Sequence, residues 1–119
     1  MEIEYYYVYT LYSIRDNKLY TGYSTNLKQR LKTHFDGTVT STKYRRPLKL
    51  IQYECYINKR DAKAREVFLK SGFGREQLRK ALQKTLEEMR APWGYAIKSY
   101  ANRNNYERAP WGCASEFLK

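Results

Sequence analysis

The 119 residues supply one compact domain with a single core and leave too little chain for a second. Lys and Arg number 23 against 12 Asp and Glu, a formal charge of +11, and 13 tyrosines put hydroxyls on much of the apolar surface. No run approaches the roughly 18 apolar residues needed to span a bilayer, and the opening Met1-Glu2-Ile3-Glu4 lacks the basic and apolar parts of a signal peptide.

Residues 3–13, IEYYYVYTLYS, are dense in Tyr, Val and Ile and predict a strand. Arg15-Asp16-Asn17-Lys18 is a polar turn, and Leu19 to Tyr23 predicts a second strand closing a hairpin. Ser24 or Thr25 is positioned to cap a helix whose Leu27 and Leu31 share a face and which ends near Gly37. Residues 38–46, TVTSTKYRR, predict a basic loop, and Pro47 opens a third strand from about Leu48 to Ile57. Asn58 and Asp61 start a helix that runs through DAKAREVFLKS to Gly72. After Gly74 a third helix follows, with Leu78, Ala81, Leu82, Leu86 and Met89 at helical spacing. The order β-β-α-β-α-α predicts an α/β (α+β) domain over residues 1–90, a small three-stranded antiparallel sheet flanked by helices.

Residues 91–119 change in character. Arg90-Ala91-Pro92-Trp93-Gly94 returns as Arg108-Ala109-Pro110-Trp111-Gly112. The segment reads as an appended tail or as a docking arm that offers two Trp anchors to a protein partner. Pro92 and Pro110 interrupt any helical pattern, so a chain ending at Arg90 is expected to stay folded. The cysteines, Cys55 and Cys113, form neither a metal-spaced set nor a disulfide framework, which makes a reducing cytoplasm the simplest home. With His34 the sole histidine, a Cys/His zinc site is not expected.

The basic excess is uneven. Residues 1–25 carry −1, residues 26–50 carry +6 and residues 58–90 carry +5. A basic excess in the middle of a small domain is the footprint of phosphate-backbone binding, and equally that of a solvated basic surface. If the partner is nucleic acid, Lys28, Lys32, Lys43, Tyr44, Arg45, Arg46, Lys70 and Arg75 are the candidate contacts, with Tyr44 able to stack on a base.

An ordered set of motifs stands out. Tyr7-Val8-Tyr9 is followed after ten residues by Tyr20-Thr21-Gly22, then by Leu27-x-x-Arg30-Leu31-x-x-His34, Arg46-Pro47-Leu48 and Ala62-x-x-Arg65-Glu66-x-x-Leu69-Lys70. Over about residues 5–82 this resembles the GIY-YIG nucleases, most of all the short stand-alone bacterial members, and more distantly the nuclease domains of excision-repair incision subunits. Tyr7 stands where the family has its first Gly and Thr21 where it has Ile. Many members carry an Asn after the carboxylate helix, where this chain has Gly74, Arg75, Glu76 and Gln77.

The resemblance implies a metal-dependent endonuclease acting on single-stranded, duplex or branched DNA. It implies that Tyr9 acts as or near the general base, that Tyr20 helps order water or phosphate, and that Glu66 is the sole metal-binding carboxylate, holding Mg²⁺ or Mn²⁺. Such a reaction needs a base for water, charge neutralisation on the phosphoryl oxygens and help for the leaving oxygen. Arg30 and His34, one helical turn apart, can offer a cation and a titratable group to one phosphate. Taken alone, Arg30 also reads as a solvated surface residue and His34 as a helix C-terminal histidine. Glu66 shares a helical face with Ala62 and Leu69, which turns it toward the sheet, where a carboxylate needs a cation or an ion pair with Arg65 or Lys70. A tyrosine with a pKa near 10 is a poor base unless its phenolate is favoured. Two other functions stay open: a catalytically weak nucleic-acid-binding module, and a protein-interaction domain using the Trp-bearing tail.

Overall fold

The computed structural model describes residues 3–90. Its elements run β1 (Tyr6–Ser13), β2 (Leu19–Ser24), α1 (Leu27–Asp36), β3 (Leu48–Tyr56), α2 (Lys59–Lys70), α3 (Gly72–Ala81) and α4 (Gln83–Arg90), with a 3-10 turn at Lys43–Arg45 before β3. The strands form one antiparallel sheet in the order β2-β1-β3, the expected α+β architecture.

β1 occupies the centre because it is apolar on both faces, and every residue from Tyr7 to Ser13 is buried. Tyr7, Tyr9 and Leu11 pack with Leu27 and Leu31 of α1. Val8, pointing the other way, meets Ala62 and Leu69 of α2 and Leu78 of α3. Tyr12 meets Leu86 and Met89 of α4. The sheet therefore carries α1 on one face and the other helices on the opposite face. Each fully buried Leu stabilises this sandwich by about 1.5–3 kcal/mol.

Three local expectations are corrected. β1 begins at Tyr6 rather than at residue 3. The cap of α1 is Asn26, whose side chain accepts from the Gln29 amide, while the Ser24 hydroxyl accepts from the Asn26 amide and shapes the preceding turn. The third helix starts at Gly72, with Ser71 capping it through the Gly74 amide, and divides at Leu82 into α3 and α4. Gly74 is pressed so closely on the Phe68 carbonyl that no Cβ fits there, which is why the helix can begin directly against the end of α2. The division at Leu82 lets Leu78 lie over Val8 while Leu86 and Met89 reach Tyr12. Cys113 and the repeated Trp motif lie outside the described residues.

β3 carries a bulge. Thr10 pairs with Gln52 but Leu11 pairs with Leu50, so Ile51 has no partner on β1. The extra residue switches the alternation of the strand. Leu48 and Leu50 thus join the α1 side together with Tyr53, and Ile51 joins Tyr12 on the other. Among the described residues no helix is long and apolar enough to cross a membrane.

Candidate active site

Tyr9 pairs with Gly22 and Leu11 with Tyr20, so Tyr20 and Gly22 share the α1 face of the sheet with Tyr9. The Tyr9 ring lies across Gly22, where any Cβ would land on the end of the phenol. That close approach is the physical need for glycine in the Tyr20-Thr21-Gly22 motif.

α1 brings Arg30 and His34 to this tyrosine. Arg30 Nε donates to the Tyr9 hydroxyl at 3.3 Å, and His34 Nε2 lies 2.7 Å from the same oxygen. His34 is fully buried, edge-on to the rings of Tyr9 at 5.5 Å and Tyr20 at 5.1 Å. Its Nδ1 is 2.8 Å from Oγ1 of Thr42, which is also fully buried. A neutral imidazole has one donor and one acceptor nitrogen. If Nδ1–H donates to Thr42, Nε2 is bare and accepts the Tyr9 proton, and the phenol oxygen keeps room for the Arg30 donor. This tautomer gives the buried Tyr9 proton an acceptor, and we adopt it on that ground.

Burial sets the charge states. It lowers the His34 pKa to about 4, with the neighbouring Arg30 charge acting in the same direction. It raises the Tyr9 hydroxyl to about 12, opposed by the Arg30 hydrogen bond. Arg30 is held cationic first by the Tyr9 hydroxyl. At neutral pH the cluster is therefore a phenol, a neutral imidazole and a guanidinium.

A stability prediction arises here. His34 is neutral in the fold down to about pH 4 but takes a proton near its ordinary value of 6.5 when unfolded. The unfolded state thus binds more protons between these values, and stability is lost as pH falls from about 6.5 toward about 4, by about 3 kcal/mol at most. Urea midpoints should drop over that window, and a His34→Gln variant should show a smaller drop. Equal drops in the two proteins would show that His34 is not the titrating group. Tyr9 acts at the other end: its raised pKa contributes stability below pH 10 that is lost as pH rises toward about 12.

Glu66 sits on α2 with its side chain 15% exposed, bonded to Lys70 at 3.1 Å and to Lys63 at 3.9 Å. The anticipated Arg65 partner is instead bound to Glu54 of β3 at 3.0 Å. Lys63 also lies over the Tyr23 ring at 3.9 Å. After burial and the closer Arg30 and Tyr20 groups, the Glu66 charge still contributes to raising Tyr9, so the carboxylate belongs to the same electrostatic neighbourhood. Among the described residues no three of His, Cys, Asp and Glu cluster into a cage. A lone carboxylate suits Mg²⁺ or Mn²⁺, which keep several waters and bind substrate phosphate as well.

The basic candidates divide. Lys28, Lys32, Lys43 and Tyr44 are exposed, with Lys43 Nζ 5.4 Å from the Tyr44 ring centre. Arg45 is engaged in the fold, bonded to Asp16 at 2.9 Å while its carbonyl accepts from Ser13 Oγ at 2.6 Å. Arg46 donates to the carbonyls of Lys43 and Phe35 and so covers the end of α1. Lys70 and Arg75 line a cleft beside Tyr20. Thr42, Tyr23 and Lys63 were not singled out by the sequence. Thr42 lies in a run of Thr and Ser that reads as loop, with nothing local to mark one hydroxyl as the partner of His34.

The model of the GIY-YIG catalytic domain matches residues 5–80. A UPF0213 protein of Clostridium perfringens is 37% identical over 83 residues, covering 69% of this chain and 88% of its own length. One of Bacillus licheniformis is 41% identical over 91 residues, covering 76% and 88% respectively. One of Staphylococcus haemolyticus is 41% identical over 78 residues, covering 65% and 93%. No solved structure matches the chain. With the matched span enclosing the whole Tyr9, Tyr20, Arg30, His34 and Glu66 set, the chain belongs to the GIY-YIG catalytic-domain family.

Proposed function

We propose that this protein is an endonuclease that hydrolyses phosphodiester bonds of DNA, using one divalent ion, Mg²⁺ or Mn²⁺, held by Glu66 and water activated at Tyr9. The observation that carries this reading is the shared Tyr9 oxygen, which accepts from Arg30 and lies 2.7 Å from His34 Nε2. A hydroxyl whose pKa is about 12 is not a phenolate at neutral pH. It can still act as a base if its own proton leaves as the water proton arrives, and the bare His34 Nε2 is placed to take it.

In this scheme a water proton moves to the Tyr9 oxygen and the phenol proton moves to His34 Nε2. The water oxygen forms its bond to phosphorus as the bond to the leaving oxygen breaks. Arg30 stabilises charge on the phosphoryl oxygens and on Tyr9, and Thr42 holds the imidazole in the accepting tautomer. When bound at Glu66, the divalent ion supplies charge neutralisation at the phosphate and the leaving oxygen. Lys63 and Lys70 balance the Glu66 carboxylate and stand where substrate phosphates would come.

The test is to incubate the full chain with labelled single-stranded, duplex and flapped DNA in Mg²⁺, in Mn²⁺ and in chelator. Cleavage is expected with either metal and none in chelator. Undiminished cutting in chelator rejects the one-ion scheme, and binding without cutting under every condition favours a binding module.

A further inference from the structure

The hairpin turn, the outer edge of β2, the end of α2 and the face of α3 surround a cleft of about 520 Å³. Five cations line it, Lys18, Arg45, Lys70, Arg75 and Arg79, against one carboxylate, Asp16. Asp16 is already bonded to Arg45, and Lys70 to Glu66. Among the described residues Lys18, Arg75 and Arg79 have no acidic partner, so two walls of the cleft carry uncompensated positive charge. Arg75 and Arg79 are one helical turn apart on α3 and so lie on one face. Between the charged walls the lining includes Leu19, Leu78 and Tyr20. Tyr20 also stands edge-on to His34 and Lys70 is bonded to Glu66, so the cleft shares one residue with the Tyr9 cluster and touches the partner of the carboxylate.

We infer that this cleft is a channel for an unpaired nucleic-acid strand running to the scissile bond, and that single-stranded flanks are bound in preference to blunt duplex. The inference rests on the nuclease reading of the Tyr9 site. Size and chemistry both point to one strand. Clefts of about 300–1,000 Å³ hold ligands of drug size, comparable to a nucleotide or two. A duplex, whose major groove alone is about 12 Å wide, cannot enter and would rest on the rim. Its bases are stacked inward, leaving the half-buried Leu19 and Tyr20 nothing to meet. An unpaired strand offers both free base faces for that apolar lining and phosphates for the lysine and arginine walls. β2 is also an edge strand, paired only with β1, so its outer backbone groups are not used by another strand.

The experiment uses the full chain in chelator, so that binding is read without cleavage, with fluorescence anisotropy on three labelled probes. These are an oligo-dT strand, a blunt duplex, and that duplex carrying a dT overhang. The unmodified protein should bind the overhang duplex more tightly than the blunt one. The double charge reversal Arg75→Glu with Arg79→Glu should weaken binding to the strand and the overhang by about tenfold or more, well beyond its effect on the blunt duplex. It should also flatten the salt slope on the strand by about 1.4, at about 0.7 for each lost phosphate contact. Lys18→Glu, on the hairpin wall, should show the same selective loss to a smaller extent, and it carries the test if the double variant fails to fold. Equal losses on all three probes, or no preference of the unmodified protein for the overhang, overturn the channel. A protein that binds as expected yet never cuts with metal leaves the channel standing and overturns the nuclease reading.

Discussion

Replacing Glu66 with glutamine should abolish cleavage, by at least about a thousandfold, in a protein that stays folded and binds DNA no less tightly. The proposed ion has one protein carboxylate, and its charge on the phosphate is worth several kcal/mol, each 1.4 kcal/mol or so being a factor of ten. Glutamine keeps the shape and an oxygen that Lys70 can still donate to, so the packing of α2 is retained. Binding should hold or strengthen, because the change removes the negative charge that offsets the Lys63 and Lys70 ammonium groups. The measurement is cleavage rate in Mg²⁺, alongside circular dichroism and anisotropy in chelator. A folded Glu66→Gln variant that still cuts at the native rate would remove Glu66 from the mechanism. An unfolded one would make its two lysine bonds the structural role.

Tyr9→Phe is the second large effect, a loss of about 10²- to 10⁴-fold in rate, the usual range for removing a general base. The ring over Gly22 is kept, so the sheet and its packing on α1 remain. What goes is the oxygen shared by Arg30 and His34, both of which lose a hydrogen-bond partner in a buried setting. A stability cost of about 1–3 kcal/mol should accompany the loss of rate. Tyr20→Phe makes the comparison, since its ring still stands edge-on to the imidazole and only a hydroxyl that supports Arg30 less than Tyr9 does is lost. Its rate loss should be clearly the smaller. Equal losses in the two variants would mean that ring packing, not the Tyr9 oxygen, supports the reaction.

Much of the fold was legible in the chain because the relevant forces are local. The Tyr- and Val-rich run that becomes β1, the polar turn at 15–18 and the Asn58 cap each act within a few residues. So does the helical spacing that puts Arg30 and His34 on one side of α1. The family resemblance named Tyr9, Tyr20, Arg30, His34 and Glu66. The fold brings the first four into one cluster and leaves Glu66 in its electrostatic neighbourhood. Tertiary packing alone decided the rest. Thr42 reaches His34 only because the Asp16–Arg45 bond and the Ser13–Arg45 contact hold its loop to the hairpin. Glu66 pairs with Lys63 and Lys70, a turn to either side, while Glu54, from a strand distant in sequence, takes Arg65. Ile51 bulges because Leu48, Leu50 and Tyr53 must all face α1, a demand that strand alternation cannot meet. The pKa values of Tyr9 and His34 diverge from 10.0 and 6.5 to about 12 and about 4 because the sheet and α1 exclude water from both. Residue identity sets the starting values, and only the packed fold sets the dielectric around them.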